Sequence, residues 1–141
     1  MYMEAELNSP MVRLDPGESY HFDTQWLPTR ADKDFQGVTD AGVILKPLHA
    51  VQDAGAGKIK LVGAFGVFFS GKLVVHFYGA GGMAMGTQPI TQVDPRNLLL
   101  FETTAAVPGR VGRISLHLVD SNGLDRGALG EVAVETSAGI Q

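Results

Sequence analysis

Cysteine is absent. Disulfide staples, zinc–thiolate centres and cysteine nucleophiles are therefore excluded, and packing alone must hold the chain together. Charge is also sparse. Only 18% of residues are charged, 11 basic against 15 acidic, and no basic cluster occurs. Nucleic-acid binding needs a positive footprint to exchange for counterions, so no nucleic-acid partner is expected. No apolar run is long enough to span a bilayer, and no membrane partner is expected. The first residues lack the charged-then-apolar pattern of a signal peptide. Compartment stays open, because cysteine-free chains occur on both sides of a membrane.

Helical periodicity is missing too. No window holds apolar residues at i, i+3, i+4 and i+7 over three turns. What the sequence has instead is glycine, 18 residues of it in 141, and short apolar alternations between turn signals. About nine to eleven short strands at this turn spacing predict an all-β antiparallel sandwich, immunoglobulin-like or jelly-roll-like, with little or no helix. The length suits one domain, 1–141, with a junction at the polar stretch 28–37.

Residues 18–27 alternate cleanly: Tyr20, Phe22 and Trp26 on one side, His21, Asp23 and Gln25 on the other. Pro16-Gly17 before them suits a type II turn. Residues 58–69 form a long β run in which Gly63 and Gly66 point to a bulge, a bend or a close backbone approach. Pro47 separates two short strands. Ser70-Gly71 reads as a hairpin turn onto a strand whose Leu73, Val75 and Phe77 share one side. In residues 113–119, Ile114, Leu116 and Leu118 share another. The expected core is Phe22, Trp26, Leu61, Phe65, Val75, Phe77, Leu116 and Leu118.

The chemical motifs are thin. The four histidines, His21, His49, His76 and His117, show no metal-ligand spacing, so no metal and no cofactor are expected, although strands distant in sequence can bring such groups together. Asp120-Ser121-Asn122-Gly123-Leu124-Asp125 has oxygens that calcium favours. It lacks the rest of a calcium loop and reads as a hairpin turn. Gly79-Ala80-Gly81-Gly82 has no Gly-Lys-Ser/Thr and no following helix to hold a phosphate. Ser70 lacks the Gly-x-Ser-x-Gly elbow of a serine hydrolase. Glu4 and Glu6 share one side of a short strand and could do acid–base work as catalytic carboxylates. His21, Asp23 and Gln25, with His76 and Tyr78 on a second strand, are the candidate ligand-binding groups on polar sheet faces.

Residues 1–28 carry a further signal. The run Tyr2-Met3-Glu4-Ala5-Glu6-Leu7-Asn8-Ser9-Pro10, then Leu14-Asp15-Pro16-Gly17-Glu18, then Trp26-Leu27-Pro28, resembles the closing strands of galactose-mutarotase-like supersandwich domains. The remainder resembles a generic accessory β-sandwich. The resemblance implies a link to carbohydrate chemistry and carries Glu6 as its one site position. The expected function is a noncatalytic carbohydrate-binding or accessory module. The alternatives are a small glycan-active hydrolase or isomerase using Glu4 or Glu6 with a histidine, and a structural module. Open edge strands make a homo-oligomer the expected assembly.

Overall fold

The computed structural model describes residues 7–32, 34–53, 57–107 and 109–137. Among them there is no helix and there are nine strands: β1 (Gly37–Val38), β2 (Gly42–Asp53), β3 (Lys58–Val67), β4 (Gly71–Tyr78), β5 (Ala84–Val93), β6 (Leu99–Ala106), β7 (Arg113–Asp120), β8 (Asp125–Ala133) and β9 (Glu135–Ser137). One sheet runs β1-β2-β3-β6, with β9 also against β2. The other runs β5-β4-β7-β8. All pairings are antiparallel except β2 with β9. With β2, β3 and β6 as strands A, B and E, and β5, β4, β7 and β8 as C′, C, F and G, the strand order is that of an immunoglobulin-like sandwich.

The alternation explains the packing. Ile59, Leu61, Phe65 and Val67 on β3 point inward, and so do Leu73, Val75 and Phe77 on β4 and Ile114, Leu116 and Leu118 on β7; all lie in one buried cluster. This bears out six of the eight expected core residues. It also corrects the hairpin expected at Ser70-Gly71. β3 and β4 lie in different sheets, and residues 68–70 carry the chain across the end of the sandwich. Both strands have one fully apolar side, and placing them in opposite sheets lets those sides bury each other. Alternation alone is the same for either arrangement.

Pro47 does not divide two strands. β2 is continuous over 12 residues, and its register against β3 shifts between Ile44 and Lys46 and again between Lys46 and His49. The proline, which has no amide to donate, sits within this irregular stretch. Gly66 does mark a close backbone approach: a Cβ there would meet the Arg30 carbonyl oxygen at 2.5 Å.

The segment before β1 departs most from expectation. The described residues of 7–36 form no strand. Asp15-Pro16-Gly17-Glu18 makes the expected turn, with Glu18 N–H donating to the Asp15 carbonyl at 3.0 Å and Gly17 at φ 93°. The alternating stretch beyond it has no partner strand. Beyond residue 27 the chain is tied to the sandwich, where Arg30 N–H donates to the Pro95 carbonyl and Gln36 N–H to that of Ile44. Phe22 is therefore 44% exposed and Trp26 63% exposed, and neither belongs to the core. An alternating segment buries its apolar side only where a sheet receives it, and no strand receives this one.

Two truncations separate these environments. Phe77→Ala is expected to lower unfolding stability by about 3–5 kcal/mol, and Phe22→Ala by less than about 0.5 kcal/mol. Urea denaturation of the two variants measures both; equal losses would contradict the burial described.

Candidate functional site

Because Leu73, Val75 and Phe77 point inward, His76 and Tyr78 point outward from β4. On neighbouring β7 the outward parity falls on Arg113, Ser115, His117 and Val119. The β4–β7 register pairs Tyr78 with Arg113, His76 with Ser115 and Val74 with His117. His76 and His117 are therefore diagonal neighbours, and diagonal pairs are within reach of aromatic rings. Their imidazoles stack with centroids 4.3 Å apart and planes 17° from parallel. Alongside, the Arg113 guanidinium lies 4.1 Å from the Tyr78 ring centroid and pairs with Glu131 of β8.

The third strand completes the cluster through two irregularities. Register shifts between β7 and β8 flank His117, so β8 has extra residues there, and bulges re-aim side chains. Asp125 turns back onto His117, its carboxylate oxygens 2.8 and 3.1 Å from Nδ1. The Gly127 amide donates to Asp125 Oδ1 at 2.8 Å, and Gly127 adopts φ 102°, a backbone state that glycine supplies without strain. His76, His117 and Asp125 thus offer ligand atoms all within 4.8 Å of one another. Burial foremost, then the neighbouring His117, pushes the His76 pKa below the usual histidine value, against the opposing pull of Asp125.

The turn that delivers Asp125 is built on Asp120. Its buried carboxylate accepts from the amides of Asn122 at 2.9 Å and Leu124 at 3.0 Å and from Arg126 Nε at 2.8 Å. The acidic 120–125 run is the expected hairpin turn, with the Asp120 oxygens engaged by the turn itself. Arg126, held there, covers the Phe69 ring at 4.3 Å. Phe68 and Phe69, from the β3–β4 connection, and Leu124, Asp125 and Arg126 line an open depression of about 510 Å³, together with Asp40 and with Gln25 and Leu27 of the N-terminal segment. Asp125 therefore belongs to both the histidine cluster and the depression. The connections that border it correspond to the B–C and F–G loops, the end of the sandwich where immunoglobulin variable domains bind ligands.

The candidates from sequence fall into three groups. His76 and Tyr78 lie on the outer face of β4. Gln25 reaches the depression, while His21 and Asp23 sit exposed on a segment that is no strand, so the three do not form a sheet face. Glu4 and Glu6 lie outside the described residues. No sequence motif links His117 and Asp125 to His76. The signal was the outward parity of His76 and His117 on two alternating strands. No sequence spacing places Asp125 beside them, because the bulge does so. No protein-family model, curated protein or solved structure matches this chain.

The hairpin has a pH signature. The Leu124 amide above all, then Arg126 and the Asn122 amide, hold the Asp120 pKa below the usual aspartate value despite the opposing effect of burial. The unfolded chain then binds the proton more readily, so this contribution to stability is present above the ordinary carboxylate range and is lost as pH falls through and below it. Asp120→Asn is expected to be less stable at pH 7, and to lose less stability than the parent between pH 7 and about pH 3. Denaturation midpoints at the two pH values test this; identical pH profiles would contradict it.

Proposed function

We propose that this protein is a noncatalytic carbohydrate-binding or accessory module whose ligand sits in the depression around Asp125 and extends along the outer face of β4 and β7. The observation that carries this reading is the double membership of Asp125. Through it, the row of His76, His117, Tyr78 and Arg113 adjoins a depression furnished with Gln25, Arg126 and the Phe68 and Phe69 rings. Sugars need both kinds of surface: donors and acceptors that fix hydroxyls, and aromatic area against which ring C–H groups pack. Strand residues two apart lie roughly 7 Å from one another, close to the spacing of hydroxyls across one or two sugar rings.

Isothermal calorimetry against a panel of soluble oligosaccharides, in the presence of EDTA, tests the reading. Binding is expected, and Gln25→Ala or Asp125→Asn is expected to weaken it about tenfold, or ~1.4 kcal/mol. Absence of binding across the panel contradicts the module. Turnover that vanishes with Glu4→Gln or Glu6→Gln would replace it with the glycan-active enzyme.

A second reading has its own observation. Tyr20, Phe22 and Trp26 are all exposed on the segment before β1, an apolar display that single surface residues do not produce. A second copy of the chain, receiving this segment on an edge strand, would cover it. Light scattering is then expected to give the mass of a dimer, and the double change Phe22→Asp, Trp26→Asp that of a monomer. A monomeric parent contradicts self-association.

A further inference from the structure

We propose that His76, His117 and Asp125 bind one divalent first-row transition ion, with zinc as the representative. The inference does not depend on the glycan reading, and either can fail alone. Its basis is donor chemistry and placement. Two imidazoles and one carboxylate form a mixed nitrogen–oxygen set of the kind zinc accepts, whereas magnesium and calcium favour oxygen alone. Three adjacent strands, β4, β7 and β8, supply one donor each, so the paired backbones hold the set.

The distances suit the ion. Donors bonded at about 2.0–2.1 Å are roughly 2.9 Å apart at a right angle and roughly 3.4 Å apart at a tetrahedral one. His117 Nδ1 and the Asp125 oxygens, at 2.8 and 3.1 Å, already stand near these separations. All three donors lie within 4.8 Å of one another, and joint ligation requires the stacked imidazoles to turn so that their nitrogens converge on one point. The Gly127 amide anchors Asp125 Oδ1, the kind of outer hydrogen bond that holds a ligating carboxylate in place.

Three protein donors fall one short of a closed tetrahedral site. His76 and His117 are half-buried and Asp125 is exposed, so the remaining position faces outward. Water would complete it, or an oxygen from whatever enters the depression that Asp125 lines. The stacked imidazoles have a bland alternative, a hydrogen-bonded surface network in which Asp125 only orients His117. That alternative predicts no stoichiometric metal.

Zinc titration of the EDTA-stripped, dialysed full chain, followed by calorimetry, decides between them. One ion per chain is expected. His76→Ala and His117→Gln should each abolish stoichiometric binding, and Asp125→Asn, which removes the anionic oxygen donor, should weaken it. His49→Ala, a histidine on the other sheet, should leave it unchanged. On the unaltered protein, zinc should shift the ring Cε1–H resonances of His76 and His117 and leave those of His21 and His49 in place. This readout stands if a histidine variant fails to fold. No zinc binding at one ion per chain, binding that persists in both folded histidine variants, or ring shifts at His21 or His49 instead would overturn the proposal.

Discussion

Two apolar strand faces that must bury each other govern this molecule. The inner side of β3 meets those of β4 and β7, so Leu61, Phe65, Val75, Phe77, Leu116 and Leu118 become one fully enclosed cluster. Non-directional burial of this kind is the dominant favourable term in folding. It also dictates what faces outward. With period-two side chains, a core built on Leu73, Val75 and Phe77 leaves His76 and Tyr78 on the outer surface. A one-residue slip of β4 would drive both polar groups into the core and lift the three apolar ones out, which is why the register is strongly specified.

The candidate site follows from that register plus one local device. β4 and β7 bring two imidazoles together by ordinary diagonal pairing. Asp120 closes the β7–β8 hairpin, and the irregular register beyond it rotates Asp125 back toward His117. Backbone amides and Arg126 hold the buried Asp120 carboxylate, and with it the end of the hairpin. Rigid strands thus carry the histidines, while a tightly hydrogen-bonded turn carries Asp125 to the border of the depression. Supports of this kind leave little backbone to order when a ligand binds, which keeps the ordering cost low.

Strand content, the outward position of His76 and Tyr78, and six core residues were legible from alternation, because burial and period-two geometry are both local to each strand. The pairing of strands was not. Ser70-Gly71 looks like a hairpin turn, yet it crosses between sheets, since nothing in an apolar alternation says which sheet receives it. Phe22 and Trp26 have the pattern of a core face and no sheet to face. His117 and Asp125 escaped notice for a related reason: their meeting with His76 depends on cross-strand register and on a bulge, and neither is written in sequence spacing. Alternation places Gln25 with His21 and Asp23 on a strand face, whereas it lines the depression from a segment that is not a strand.

The proposed glycan and metal sites both lie where the outer face of β4 and β7 joins the loop end of the sandwich. Backbone amide chemical-shift mapping, with zinc and then with the tightest-binding oligosaccharide of the panel, tests this placement most directly. The largest changes are expected on residues 68–69, 76–78, 115–117 and 124–127. Changes concentrated instead on the outer face of β2, β3 and β6, around Lys60, Glu102 and His49, would contradict it.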